Sequence, residues 1–409
     1  MITKQTVRFA QTIMTTLAGV ALFSACNVEV LQSRNDFTED QIAASAALPS
    51  VARGATKAGV SGIYAMWTLA SMIAPAEAIA PGIGALLEVQ TLQFANQLNG
   101  RNRAAGNRGY EALNLAETVL TRLDAATFSS NSVADAKGKA LLRGNLLFIQ
   151  GMIYGNLARY YARVVEHGTK ASLTPDQARA KGIVLLERAR AAFRDFAAQP
   201  ATTAVPYATA GLILVGDDKL INSAVGMLQF DAGNVSAASV LLDAGYVASD
   251  AARQATFRQD PNGDFIGHDM WTDFSSGGLR YSPDLITSRL PGDTLRVVGT
   301  TAATNPRNWF ANNNFEYFWP VVANVPFVSW QEVAMMRAQI TTDAAVRAQL
   351  VTSVLASFGI SVADAARIVG DPAFTNARVA RYVYLGKGRA PISGIASFRR
   401  WEVPDELTR

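Results

Sequence analysis

The sequence predicts a mainly α-helical chain, a helical-repeat scaffold interrupted by a loop-rich, aromatic-rich insertion with few short strands. Three observations predict it. Apolar residues recur at helical spacing over most of the chain up to about residue 246. From residue 250 the texture changes to Gly, Pro, Asn, Asp and Ser, with only short stretches that could be strands. Within that region "NWFANNNFEYFW" (308–319) places six aromatics in eleven residues of a chain that is 9% aromatic. At 409 residues and 49% hydrophobic, the chain can bury a large core, as one big domain or two intimate ones.

The first residues read as a lipoprotein signal peptide, residues 1–25. Lys4 and Arg8 form a positive start, and an apolar run over 9–25 follows, too short for a comfortable membrane span. Removing this leader halves the formal charge of +4, so charge gives no support to a nucleic-acid partner. The chain's single cysteine, Cys26, directly follows "LFSA", where a thiol would be acylated and become the mature N-terminus. With one cysteine there is no intramolecular disulfide, so the core must hold the protein together. Residues 26–38 are the expected acylated end and tether.

A single domain is expected over 39–409. Its first part, 39–246, is the helical scaffold; 247–325 is irregular; and 326–409 returns to helices and loops. Residues 59–95 are apolar, but Pro75, Glu77, Pro81 and Glu88 interrupt them before a span could form, so they read as buried helices and a loop. Residues 108–125 put Tyr110, Leu113, Ala116, Leu120 and Leu123 on one face. Residues 139–165 are apolar nearly all round, as a helix packed on several sides requires. Before the next helix, Thr174 can cap, Pro175 suits the first helical position and Gln177 completes a capping box. The apolar face of that helix runs through Ile183, Leu186, Ala189, Phe193 and Phe196. Residues 219–246 form a helix-turn-helix unit of the tetratricopeptide kind, turning near Gly233-Asn234, with Ala237, Ala238, Leu241 and Leu242 inward. No strict 34-residue period survives, so a few degenerate repeats are expected rather than a regular solenoid. Helical pattern returns at 326–357 and 361–369.

Catalytic and metal chemistry find little material. The only two histidines, His167 and His268, lie a hundred residues apart, which leaves no basis for a zinc site or a nucleophile–histidine pair. "DPNGDFIGHDMW" (260–271) starts like a calcium loop but has Phe265 and Trp271 where glycine and glutamate belong. No carboxylate pair stands out, and no glycine pattern fits a phosphate. No catalytic residue, metal or cofactor is therefore expected.

The aromatics suit binding. Flat rings stack on sugar faces at small entropic cost, and asparagine amides hydrogen-bond hydroxyls. The candidate ligand-binding residues are Trp309, Phe310, Tyr317 and Trp319 with Asn312 and Asn313 between them, joined by Trp271 and Tyr281 from the preceding loop. Some of these rings are expected to anchor the loop and others to face a ligand. Trp330 and Trp401 read as packing residues.

Several stretches, in order, resemble the SusD/RagB-like family of outer-membrane nutrient-binding lipoproteins. "LFSAC" is similar to its lipidation motif, and "LPSVARGATKAGVSGIYAMW" to its first helix. "NRGYEALNLAETVLTRLD", "KALLRGNLLFIQGMIYGNLARYYARV" and "GMLQFDAGNVSAASVLLDAG" resemble successive helical elements. "VPFVSWQEVAMMRAQI" resembles a later helix, with Glu332 and Val333 matching its pattern and Gln339 where glutamate is common. "RRWEVPDEL" is similar to the family's ending, with Glu402-Val403-Pro404 replacing part of it. The chain is shorter than many members of that family.

The resemblance implies a SusD-like, non-catalytic protein held on the outer membrane at the cell surface by its lipid. Such a protein captures oligosaccharide or peptide and delivers it to a SusC-like TonB-dependent β-barrel transporter. Two other readings stand beside it: a helical-repeat outer-membrane lipoprotein that scaffolds a protein assembly, and, more distantly, a secreted glycoside hydrolase.

Overall fold

The computed structural model describes residues 45–73, 78–79, 100–205, 213–259, 280–281, 323–357 and 360–370, all of which fall in one unit, Ser45–Arg409. The helices are α1 (Leu48–Ile73), α2 (Gly100–Arg122), α3 (Ser132–Tyr160), α4 (Pro175–Ala198), α5 (Asp218–Asp231), α6 (Val235–Asp243), α7 (Trp330–Ile340), α8 (Ala344–Ser357) and α9 (Val362–Gly370). The strands are β1 (Ala78–Ile79), β2 (Val164–Val165), β3 (Ser172–Leu173), β4 (Ala255–Gln259), β5 (Arg280–Tyr281) and β6 (Ala323–Val328). Among the described residues the strands form only antiparallel pairs, β1–β5, β2–β3 and β4–β6. The mainly α architecture with few short strands is the expected one.

Consecutive helices pair, α1 with α2, α3 with α4, α5 with α6 and α7 with α8. Neighbouring pairs also touch, α1 on α3, α4 on α5 and α6 on α7. A helix with one apolar stripe must bury it against another, and stacking such pairs builds a continuous core. That core runs without a break from Val60 on α1 to Ile368 on α9.

The central helix is α3. Its long apolar run has no polar face to turn outward, and nearly every residue from Ala140 to Ala158 is buried. Polar residues inside such a helix need partners. Asn145 donates to Thr56 Oγ1 at 2.7 Å and accepts from the Leu214 N–H at 3.0 Å. Asn156 accepts from Trp67 Nε1 at 2.9 Å and donates to the Met152 carbonyl at 2.8 Å. These bonds fix α1 against α3 in one register, which apolar contact alone does not do.

Glycines set the distance between α3 and α4. A Cβ on Gly182 would stand 2.8 Å from the Gly151 carbonyl oxygen, and one on Gly151 2.9 Å from that of Gly182. The two backbones therefore meet with no side chain between them. α4 starts at the expected box: Thr174 Oγ1 accepts from Gln177 N at 3.3 Å, and Thr174 N donates to Gln177 Oε1 at 2.8 Å, with Pro175 in the first turn. At the far end of α4 the buried Lys137 ammonium donates to the carbonyls of Pro200 (2.7 Å), Thr203 (2.9 Å) and Ala201 (3.4 Å), and sits 5.3 Å from the centre of the Phe196 ring. Gly233, at φ +77°, makes the turn between α5 and α6 in a region that a side chain would strain.

Three expectations need correction. The helix expected over 139–165 stops at Tyr160, and Val164–Val165 is a strand instead. Two β-branched residues there pair with Ser172–Leu173 rather than continue the helix. Ala237 is exposed, and only Ala238 and Leu242 of α6 are buried, because a helix of nine residues offers one narrow stripe to α5. The helical pattern expected from residue 326 begins at Trp330, since Ala323–Val328 is strand β6. Pro326 lacks the N–H a helix interior would use, and Val325, Phe327 and Val328 favour a pleated surface. Ser329 then caps α7, with Glu332 N donating to Ser329 Oγ at 3.3 Å and Ser329 N to Glu332 Oε2 at 3.2 Å. Trp330 is buried, as a packing residue should be.

Candidate functional site

The sequence-predicted ligand residues Trp271, Trp309, Phe310, Asn312, Asn313, Tyr317 and Trp319, and the lipidation candidate Cys26, lie outside the described residues. Tyr281 is placed by its backbone: it belongs to β5 and stands opposite Ala78 of β1. What the structure gives is the frame on which the segment 260–322 is mounted. β4 and β6 pair over their length, with Gln259 opposite Ala323 at the open end. The chain thus leaves and re-enters the scaffold at one place.

That mounting is rigid for a physical reason. Phe327 of β6 reaches a cluster of buried rings, 5.1 Å and edge-on to Phe257 of β4, 5.4 Å from Trp67, and 6.2 Å from Tyr64 and Phe148. Edge-to-face and tilted ring pairs at such separations add to simple burial. The strand pair is therefore bolted to α1 and α3. Beside it, the carboxylate of Asp250 is 3% exposed and receives Lys219 Nζ at 2.8 Å, the Arg253 guanidinium, and the Val247 N–H at 3.0 Å. Burial alone would raise this carboxyl, but those donors outweigh it and hold it down at about 2.

A second feature is a cleft of about 450 Å³ on the helical scaffold. α2 contributes Leu113, Glu117, Leu120 and Thr121, spaced to share one helix face. α3 contributes Gln150 and Tyr154, α4 contributes Lys181, Leu185 and Arg188, and the β2–β3 turn contributes His167 and Gly168. Burial pushes the Tyr154 hydroxyl above its ordinary range, and it accepts from the His167 backbone N–H at 3.0 Å. Lys181 Nζ sits 5.2 Å from the centre of the Tyr154 ring and is paired with Glu166. The Lys181 ammonium and the Thr169 hydroxyl, both bonded to Glu166, hold its carboxyl below the usual range. Sequence reasoning missed this cleft. One signal was available: Gln150 is a polar residue in an apolar helix, like Asn145 and Asn156, and it lines the cleft. Among the described residues no group of His, Cys, Asp and Glu is arranged to hold a metal ion, and no helix is long and apolar enough to cross a membrane.

Comparison with known sequences finds no matching family model and no matching curated protein. Solved structures do match. A SusD superfamily protein from Bacteroides thetaiotaomicron VPI-5482 superposes with TM-score 0.59 at 12% identity, over 84% of this chain and 87% of that one. A laminarin binding SusD-like protein gives 0.57 at 12% identity, over 86% and 92%. A surface glycan-binding protein A from Bacteroides thetaiotaomicron, in complex with laminarihexaose, gives 0.51 at 13% identity, over 84% and 90%. At these identities the likeness is one of fold.

Proposed function

We propose, from the premise that this chain has the SusD-like fold, that it is a non-catalytic glycan-binding lipoprotein of the cell surface. In this reading it is anchored in the outer membrane through Cys26 and serves a SusC-like TonB-dependent transporter. The observation that carries it is the fold shared over most of both chains with a laminarin binding SusD-like protein and with a protein in complex with laminarihexaose. The same fold over so much of the chain favours it over a general assembly scaffold or a hydrolase.

The mechanism needs no covalent step. The ring-clamped pair of β4 and β6 holds both ends of the segment 260–322 at one fixed point. Rings of that segment, Trp309 and Trp319 foremost, stack on sugar faces, and Asn312 and Asn313 bond hydroxyls. Aromatic side chains have few rotors, so stacking on them gives affinity at small ordering cost. The lipid keeps the captured glycan at the membrane, where the transporter takes it over.

The test has three parts. Affinity capture of the C-terminally tagged chain from solubilised membranes should recover a large β-barrel protein in near-equal amount. Recovery of assembly factors in its place would favour the scaffold. Trp309→Ala and Trp319→Ala should each weaken laminarihexaose binding in calorimetry by about 1 kcal/mol or more while leaving the unfolding transition unchanged. Unfolding of both variants would make those rings core instead. Cys26→Ser should release the protein from membranes, and retention of this variant would remove the anchor.

A further inference from the structure

The cleft between α2, α3 and α4 is closed at one end by the β2–β3 hairpin, whose His167 and Gly168 form part of its wall. The hairpin is small. Val164 stands opposite Leu173 and Val165 opposite Ser172, and the two strands go no further. A two-stranded hairpin is marginal by itself, so what ties it to the helices decides whether it stays closed. Its base is held by apolar packing: Val164 is buried in the core and Leu173 packs against it. Its tip, residues 166–171, supplies no residue to that core.

Polar contacts hold the rest, one from each helix of the cleft. The Val165 N–H donates to the Tyr110 hydroxyl of α2 at 2.9 Å. The His167 N–H donates to the Tyr154 hydroxyl of α3 at 3.0 Å. Glu166 pairs with Lys181 of α4. Inside the tip, the Glu166 N–H donates to the Ala171 carbonyl at 2.7 Å and the Lys170 N–H to the Glu166 carbonyl at 3.0 Å. The Thr169 hydroxyl donates to the Glu166 carboxylate. These internal bonds keep the tip in one shape, so it moves as a piece. That shape carries strain, because Lys170 sits at φ +58°, a left-handed conformation that is costly for a residue with a Cβ. A strained tip on polar latches, above an apolar base, is the profile of a segment that opens locally while the core stays folded.

We propose that this hairpin is a flap hinged at the Val164–Leu173 pair, and that its opening lengthens the cleft along α3. Two of the three latch residues, Tyr154 and Lys181, also line the cleft. A ligand that bonds either one competes with the flap for it, so filling the cleft and opening the flap are linked, each favouring the other. The flap rests on the helical scaffold alone and does not depend on the glycan reading.

Hydrogen exchange on the detergent-solubilised full chain tests it, with tyrosine nitration as a second readout. The amides of Val165 and His167 should exchange together, well ahead of those of Phe148 and Ile149 in the middle of α3. Lys181→Met should speed both by about two- to fivefold, although Lys181 bonds neither amide. Tyr110→Phe should speed His167, whose own partner it leaves in place, by about two- to tenfold. In both variants the gain should exceed any change at Phe148 and Ile149. In Tyr110→Phe, tetranitromethane should modify Tyr154 faster by a similar factor, while Tyr64, buried in the ring cluster, keeps its original rate. If Tyr110→Phe does not fold, Tyr154→Phe takes its place, read at the Val165 amide and at the Tyr110 ring. Exchange of Val165 and His167 no faster than Ile149 would mean that the hairpin opens only when the protein unfolds, and would overturn the flap. So would a gain confined to the amide whose partner was removed, since the tip would then fray residue by residue. Faster exchange with unchanged nitration would overturn the lengthening of the cleft.

Discussion

Replacing Gly182 by alanine should destabilise the protein, although the same change usually stabilises a helix. Alanine is favoured over glycine in a helix interior by about 1 kcal/mol. At position 182 that gain meets an obstacle. The added Cβ would stand 2.8 Å from the Gly151 carbonyl oxygen and 3.3 Å from Gly155 N. Close carbon–oxygen contacts between helices settle at about 3.3–3.6 Å, so the backbones would have to part by roughly half an ångström. Neither obstructing atom belongs to a side chain that could rotate away. Overpacking of this kind costs about 1–3 kcal/mol, and a contact with two backbone atoms falls at the upper end, for a net loss of up to about 2 kcal/mol. Gly54 on α1 is the control. It is exposed and a Cβ there would meet nothing within 4 Å, so Gly54→Ala should gain about 0.5–1 kcal/mol. Gly155→Ala should fall between the two, because its obstacle is the far end of the Leu228 side chain. Urea unfolding followed by circular dichroism reads all three as midpoint shifts at constant slope. If Gly182→Ala and Gly54→Ala moved the midpoint in the same direction by similar amounts, backbone contact would not set the α3–α4 distance.

Asp250 gives a pH dependence of definite sign. Its carboxyl is held at about 2 in the folded chain and returns to about 3.9 on unfolding, so its contribution is present above pH 4 and is lost as pH falls from about 4 to about 2. That difference corresponds to ~2.5 kcal/mol, and the partial exposure of Lys219 and Arg253 reduces it to about 1–2 kcal/mol. Asp250→Asn should flatten this limb of the unfolding curve, and an unchanged limb would assign it to other carboxylates. Lys137→Met should cost about 1–3 kcal/mol, because the carbonyls of Pro200 and Thr203 lose a charged donor, and cleavage by protease should rise near residues 198–205. Unchanged stability and cleavage would mean that water replaces the ammonium without loss.

The parts of the fold that the sequence made legible are those governed by neighbours in the chain. The box of Thr174, Pro175 and Gln177, the turn at Gly233, and the buried stripe through Leu113 and Ala116 all follow from spacing within one or two helical turns. β6 was misread because "ANVPFV" owes its state to a partner, β4, more than sixty residues away. Its hydrophobic content is equally suited to a helix start, and only pairing decides between them. The cleft was invisible for the same reason. Glu117, Gln150 and Arg188 sit on three helices, and no local pattern marks residues that converge only in space. Nothing in the sequence distinguishes a buried amide that bonds a neighbouring helix from one that lines a cleft.

The pairing of Gln259 with Ala323 has a further consequence, for how such a protein can change over time. Two chain ends held side by side can be joined by a span of almost any length, because closure cost grows only slowly with length, about 0.6 kcal/mol per doubling. The scaffold behind them is locked through Phe257, Phe327 and Trp67, none of which belongs to the inserted segment. Insertions, deletions and exchanges between the two strands are therefore cheap, whereas changes to the strands or the rings are costly. A lineage built on this frame can trade one intervening segment for another while keeping the strands and the rings behind them unaltered.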